Sequence, residues 1–307
     1  MKLFTSLINT IKEHFRLKLI ICFILCAILP LLILGTISYK ISYNIAKDKI
    51  LKETAISCEK NQHLLENRMT QIENLEDSIH FNLCMLCTTA EQPMSNYLDK
   101  LSAVRNNIAS IADSFNIYHV NIFLPDDTFA SKEGLTFCSL SDLKKYKVQL
   151  SDFSKHGLTP NWIFRKDINF PYMVSKGEEP SGVLSCYRYA KINSQKTCLA
   201  VHITSEELSN YLNTFSEGNP SLSYIINSEG VVLSSTDKKQ IGGSLSNEKL
   251  HAITQNLRLS HFSYDKCEII STPVHNQLFL VTETPDYYIR QSSSFLVKMI
   301  FICFMII

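Results

Sequence analysis

Trp162 and Arg165 stand three positions apart, and Tyr187, Arg188 and Tyr189 follow one another further along the chain. An indole and two phenol rings can stack on a sugar or an amino acid, while a guanidinium reads a carboxylate or a phosphate through paired hydrogen bonds. On a strand, alternation sends Tyr187 and Tyr189 to one face and Arg188 to the other. These five are the candidate ligand-binding residues, weighed against the plainer reading that the aromatic ones fill a core.

The other chemistry-bearing groups carry less. Cys84 and Cys87 have the spacing of a redox or zinc pair, but no second pair lies at a zinc-site interval, and on a helix both thiols share one buried stripe. Glu73 and Glu76 are three positions apart, and Asp77 and His80 repeat that interval. A di-metal carboxylate site needs such sets converging from several facing helices, so a solvated helix face is the better account. The histidines, His63, His80, His119, His202 and His251 among them, lie in no catalytic setting, and His202 on a strand reads as structural. Gly242-Gly243 is a turn and makes no phosphate cradle, and no glycine-rich loop followed by Lys-Ser/Thr occurs. The expectation is no catalytic residue, no metal and no cofactor. A net charge of +1 leaves no electrostatic footprint for nucleic acid.

Of the ten cysteines, Cys22, Cys26 and Cys303 fall in apolar stretches, which leaves the odd set Cys58, Cys84, Cys87, Cys138, Cys186, Cys198 and Cys267. They cannot all pair. If Gly182–Ile192 and Thr197–Ile203 form a hairpin turning at Ile192–Asn193, Cys186 and Cys198 are equidistant from the turn. Facing positions there bring Cα atoms to about 4.5 Å, so an optional Cys186–Cys198 disulfide is expected, against two reduced core thiols.

The elements that position these residues begin and end with apolar runs. Leu19–Tyr39 carries no charge between Lys18 and Lys40 and, at about 1.5 Å per residue, is long enough for a ~30 Å hydrocarbon core. The run is longer than the apolar part of a signal peptide, which favours an uncleaved transmembrane helix. Lys12, Arg16 and Lys18 precede it and Lys40, Lys47, Lys49 and Lys52 follow, so charge nearly balances, and the short amino-terminal tail favours a cytoplasmic start. Phe295–Ile307 is too short to span alone and predicts the opening turns of a second transmembrane helix in a chain that continues. Tyr287, Tyr288 and Arg290 before it suit an interfacial belt.

Between the runs, Leu65, Met69, Ile72, Leu75, Ile79, Leu83 and Leu86 recur every three or four positions and predict a long helix. A second helix is expected over Met94–Ile111. Strands follow at Tyr118–Leu124, Phe129–Ser131, Gly182–Ile192 and Thr197–Ile203, then a helix over Ser205–Thr214 opened by Thr204 and Glu207. The pattern restarts with Leu222–Ile226 and Val231–Ser235 about the turn at Asn227–Gly230, a helix over Asn247–Leu257, and strands Phe262–Pro273 and Gln277–Thr284. The fold class is α+β: a cytoplasmic tail (1–18), a transmembrane helix (19–39), a long helix (40–93), a membrane-distal antiparallel-sheet module (94–215), a membrane-proximal one (216–286), a linker (287–294) and the start of the second span (295–307).

The span with Leu29-Pro-Leu-Leu-Ile-Leu-Gly35, the segments Val120-Asn-Ile-Phe-Leu-Pro-Asp-Asp127, Phe129-Ala130, Phe137-Cys-Ser-Leu140 and Tyr187-Arg-Tyr189, and Leu199-Ala-Val-His-Ile-Thr-Ser-Glu-Glu-Leu208 together resemble the extracytoplasmic input region of YesM-like sensor histidine kinases. Ile225-Ile-Asn-Ser-Glu-Gly-Val-Val-Leu-Ser234 with Ile241-Gly242 resembles the membrane-proximal half of a double Cache domain, a pair of PAS-like modules. The resemblance implies a multi-pass cell-membrane sensor with residues 40–294 outside, acting as a homodimer. Its ligand would be a small molecule or a solute-binding protein, and its signal would reach a cytoplasmic response regulator through a kinase part absent from this chain. An output that binds DNA, or an anchored interaction protein without a ligand pocket, are the alternatives. The amino-acid-binding pattern of double Cache receptors is not cleanly reproduced.

Overall fold

The computed structural model describes residues 15–87, 94–125, 136–146, 160–166, 180–192, 195–212, 219–255, 258–275 and 278–293. The expected strand Phe129–Ser131 and the apolar run Phe295–Ile307 lie outside them. The chain divides into two compact units, 1–53 with 285–307 and 54–284.

Helix α1, Phe15–Cys87, has 73 residues and so measures about 110 Å. It runs through Pro30 without ending, so the apolar stretch and the long helix that the sequence separates at Tyr39 are one element. In the first unit Leu19, Ile20, Phe23, Leu25, Leu29, Ile33, Leu34 and Ile37 are all exposed. Among the described residues no helix is long and apolar enough to cross a membrane; the side chains of 24, 27, 28, 31 and 32, within the apolar stretch, are not among those described. Residues 286–293 are helical. There the Tyr43 hydroxyl donates to Asp286 at 2.8 Å, and Arg290 Nη2 donates to the same carboxylate at 2.8 Å. The Tyr43 hydrogen bond, with Arg290 beside it, holds the Asp286 carboxyl below its ordinary range.

In the second unit the apolar stripe of α1 is inside: Leu65, Met69, Ile72, Leu75, Ile79 and Leu83 are buried. Helix α2 is Met94–Ser114. The first sheet contains β1 (His119–Leu124), β2 (Phe137–Ser139), β3 (Asn161–Arg165), β4 (Val183–Ile192) and β5 (Gln195–Thr204), in the order β2-β1-β5-β4-β3. β2 runs parallel to β1, and the other pairs are antiparallel. Helix α3, Ser205–Ser209, is shorter than expected but starts as expected, with Thr204 Oγ1 accepting from the Glu207 N–H. The carboxylate of Glu207 meets Arg68 and Asn116.

The second sheet contains β6 (Leu222–Ile226), β7 (Val232–Ser235), β8 (Ser260–Tyr264), β9 (Cys267–Val274) and β10 (Leu278–Pro285), in the order β7-β6-β10-β9-β8. Helix α4, Asn247–Thr254, is capped by Ser246 and sends Ile253 into the cluster of Tyr224, Ile226, Ile269 and Val281 on one face of this sheet. The opposite face meets α1, where Thr272 Oγ1 donates to Gln62 Oε1 at 2.8 Å. Gly230 takes φ +80° at the expected β6–β7 turn. The single strand expected over Phe262–Pro273 is instead a hairpin, β8–β9, turning through Asp265 (φ +45°) and Lys266 (φ +60°). No glycine marks that turn, so it escapes the usual signal.

Candidate ligand-binding site

The cross-strand register sorts the five candidate residues onto two faces of the first sheet. Trp162 pairs with Cys186 and Arg165 with Val183 across β3–β4, while Tyr187 and Tyr189 pair with Ala200 and Cys198 across β4–β5. Directly opposed residues share a face. Arg165, Tyr187 and Tyr189 therefore lie on the face that carries the cluster of Phe123, Cys138, Leu143, Val183, Cys198 and Ala200. Tyr187 is fully buried in that cluster, and Tyr189 and Arg165 are half-buried.

Trp162 and Arg188 are on the other face, against α1. The Trp162 indole N–H donates to Glu73 Oε1 at 3.0 Å. Arg188 Nε donates to Glu76 Oε2 at 3.3 Å, its Nη1 to Asp77, and its Nη2 to the Glu73 carbonyl at 3.4 Å. One wall of aromatic rings with an arginine, built from all five, is therefore not formed: a sheet lies between the two groups.

The acidic turn of α1 is where the sequence reading is corrected. Glu76 is fully buried and the Glu73 side chain is 16% exposed, so these carboxylates are no solvated face. Glu73 Oε1 also accepts from His275 Nε2 at 2.8 Å, which joins the second sheet to the same turn. Burial dominates at Glu76 and pushes its carboxyl up to about 8, although the Arg188 charge, the Cys186 thiol and the Arg188 hydrogen bond pull the other way. The signal that was available is the position of Glu76 beside Ile72, Leu75 and Ile79, inside the apolar stripe.

The same register corrects the disulfide. Cys186 faces Val201 and Cys198 faces Tyr189, so the two thiols are on opposite sides of the sheet and three positions out of step. Both are free. Ile192 faces Gln195, so the register is three positions from the one expected, and an odd shift reverses the face. Cys84 is half-buried with Sγ 3.7 Å from His80 Nε2, while the Cys87 side chain lies outside the described residues. Among the described residues no group of three or more His, Cys, Asp or Glu could hold a metal ion.

The cluster face of the first sheet also holds a buried polar chain that the sequence did not single out. Ser185 Oγ lies 2.7 Å from His202 Nδ1, His202 Nε2 2.8 Å from Asn121 Oδ1, and Asn121 Nδ2 3.1 Å from His119 Nε2. Tyr187 meets the His202 ring edge-on at 6.0 Å. His202 is the structural histidine the sequence predicts. A cavity of 560 Å³ opens elsewhere, lined by Asp113, Asn116, Thr204, Glu206, Glu207 and Lys238. There Glu206 Oε1 accepts from the Ser181 N–H, and Glu207 accepts from Arg68 and Asn116.

No protein-family model matches the chain, and no curated protein matches it. Solved structures do. The periplasmic sensory domain of the Campylobacter jejuni chemoreceptor Tlp1 superposes with a TM-score of 0.58 at 14% identity, covering 78% of this chain and 98% of that domain. The extracellular domain of vpHK1S-Z8, assigned as a histidine kinase, gives 0.56 at 13% identity over 80% of this chain and 98% of its own. The ligand-binding domain of the Campylobacter jejuni chemoreceptor Tlp3 gives 0.53 at 14% identity over 82% and 98%. The long helix with its two sheets is thus the fold that these sensory domains have.

Proposed function

We propose that this chain is the extracytoplasmic ligand-sensing input of a transmembrane sensor, most simply of a two-component histidine kinase. The observation that carries the reading is the fold likeness, which covers 98% of the Tlp1 and vpHK1S-Z8 sensory domains. Leu19–Tyr39 is the first span in this reading, because its exposed leucines, isoleucines and phenylalanine would cost about 25 cal/mol per Å² to keep in water and nothing to keep in lipid. Phe295–Ile307 opens the second, residues 40–294 lie outside, and Tyr287, Tyr288 and Arg290 sit at the interface. The kinase part, the response regulator and a homodimeric partner complete the expected assembly, with the distal module at 94–215 and the proximal one at 216–286.

Arg165 and Tyr189 are the residues that meet ligand, over a floor made by Tyr187. Trp162 and Arg188 instead hold the first sheet to α1 and transmit its movement. The ligand is a small molecule; amino acids belong in the first panel because the Tlp3 domain has been solved with L-valine and with isoleucine. A ligand signals only if it binds the two signalling states unequally. Melting of the full chain in detergent against a metabolite panel tests the reading, since a ligand bound by the folded form raises the transition. Arg165→Ala and Tyr189→Ala should each abolish the rise given by the ligand so found. An unchanged rise in both variants removes the site, and complete protection of the middle of the chain from protease added outside intact cells removes the topology.

A further inference from the structure

Glu76 is wholly enclosed where α1 meets the first sheet. Its Oε2 accepts from Cys186 Sγ at 3.4 Å and Arg188 Nε at 3.3 Å, while its Oε1 is buried without a hydrogen-bond partner. One turn earlier, Glu73 Oε1 takes the Trp162 indole N–H and His275 Nε2 together. Two sheets that share no strand therefore grip one turn of one helix, and they do so through two neighbouring carboxylates.

The charged and titratable groups facing Glu76 come from every element packed there. Glu73 and Asp77 lie on α1, Cys186 and Arg188 on β4, and His275 just past β9. Arg188 favours the ionised form, and Glu73 opposes it. An ionised carboxylate with one oxygen cut off from water and from any donor is costly, and burial outweighs the single guanidinium. With the carboxyl pushed up to about 8, Glu76 is mostly protonated at neutral pH and gains its charge in mildly alkaline surroundings.

We propose that the Glu73–Asp77 turn is a proton-controlled clasp, in which loss of one proton from Glu76 changes how the first sheet, through Trp162 and Arg188, and the second sheet, through His275, hold α1. The new charge draws Arg188 away from Asp77, to which its Nη1 is bonded, and repels the Glu73 carboxylate that carries both Trp162 and His275. The device goes beyond ligand sensing and needs no ligand. It would let the pH outside the cell bias the same helix on which a ligand acts.

The chain reports on the clasp by itself, because Trp162 is its one tryptophan. Emission of the full chain in detergent micelles, followed from about pH 6 to about pH 9, should change in a single step with a midpoint about 8. Glu76→Gln should hold the acid-side spectrum throughout. Arg188→Gln should move the midpoint upward, since the cation that lowers it is gone. A flat wild-type emission, a step that persists unmoved in Glu76→Gln, or an Arg188→Gln midpoint that stays or falls overturns the clasp. The ligand-induced rise in melting is a separate readout, so failure of the one leaves the other standing.

Discussion

Ser185 Oγ and His202 Nδ1 meet 2.7 Å apart across β4 and β5, both fully buried, and they anchor a polar chain that continues through Asn121 to His119. Burial, and then His119 stacked on it at 6.2 Å, lowers the His202 imidazole well below its ordinary range and keeps it neutral. The folded chain thus holds fewer protons at His202 than the unfolded chain, which makes this contribution complete above the ordinary value of 6.5 and progressively lost below it.

Glu76 works in the opposite sense. Its folded form binds the proton more tightly than the unfolded chain, so its contribution is complete below 4.5 and lost as the pH rises to about 8. The two slopes oppose each other just below 6.5, and above it the Glu76 slope, about 1.4 kcal/mol per pH unit, acts alone. Melting of the full chain should therefore show a plateau in mildly acid solution and a fall toward pH 8. Glu76→Gln should erase that fall and expose the acid slope of His202 beneath the plateau. A wild-type transition that climbs between 6.5 and 8 contradicts the Glu76 assignment.

Arg68 and Glu207 form an ion pair at 3.3 Å with side chains 6% and 11% exposed, and Arg68 also donates to the Phe115 carbonyl. Arg68→Met leaves Glu207 enclosed with its guanidinium removed, a loss of about 3 kcal/mol. Urea unfolding should show that loss in Arg68→Met and recover much of it in the Arg68→Met, Glu207→Met double variant. A loss of the same size in the double variant would mean that packing, not charge, is what Arg68 supplies.

The buried thiols should be inert. Burial pushes Cys58 up to about 12 and raises Cys186 and Cys198 as well, so little thiolate exists at neutral pH. Alkylation followed by peptide mass mapping should find all three unmodified until denaturant is added, and then all three modified, with no Cys186–Cys198 linkage under non-reducing conditions. A cross-linked peptide would require a β4–β5 register other than the one described.

At the β8–β9 hairpin both central residues, Asp265 and Lys266, have positive φ, a conformation that suits asparagine and glycine. Replacing them by Asn and Gly should raise stability by about 0.5 kcal/mol, the relief of strain less the greater freedom glycine has when unfolded. A lower melting temperature in that variant would show that the Lys266 side chain contributes more than its backbone costs.

Local rules reached far along this chain, and particular residues show where they stop. The helical interval of Leu65, Met69, Ile72, Ile79 and Leu83 is enough to place a buried face, because the period of the helix is fixed by backbone geometry. Thr204 and Glu207 mark a helix start, and Gly230 marks a hairpin, since capping and positive φ act within a few residues. The β8–β9 turn was missed for the converse reason: tertiary pairing holds Asp265 and Lys266 where their own preference would not. The apolar stripe could have marked Glu76 as buried, but its partner Arg188, 112 positions away, could not be read from the sequence.

The sequence alone determined that this chain has an apolar helix, a long amphipathic continuation and two successive sheet-forming stretches, for these follow from periodicity and hydrophobicity over short windows. Only the tertiary structure decided the register of β4 against β5, and with it the separation of Cys186 from Cys198 and of Trp162 and Arg188 from Arg165 and Tyr189. Only it brought Trp162 and His275 to one oxygen of Glu73. Strand period assigns alternate faces, but which residues stand opposite one another, and which charges share a buried space, depends on how distant segments meet.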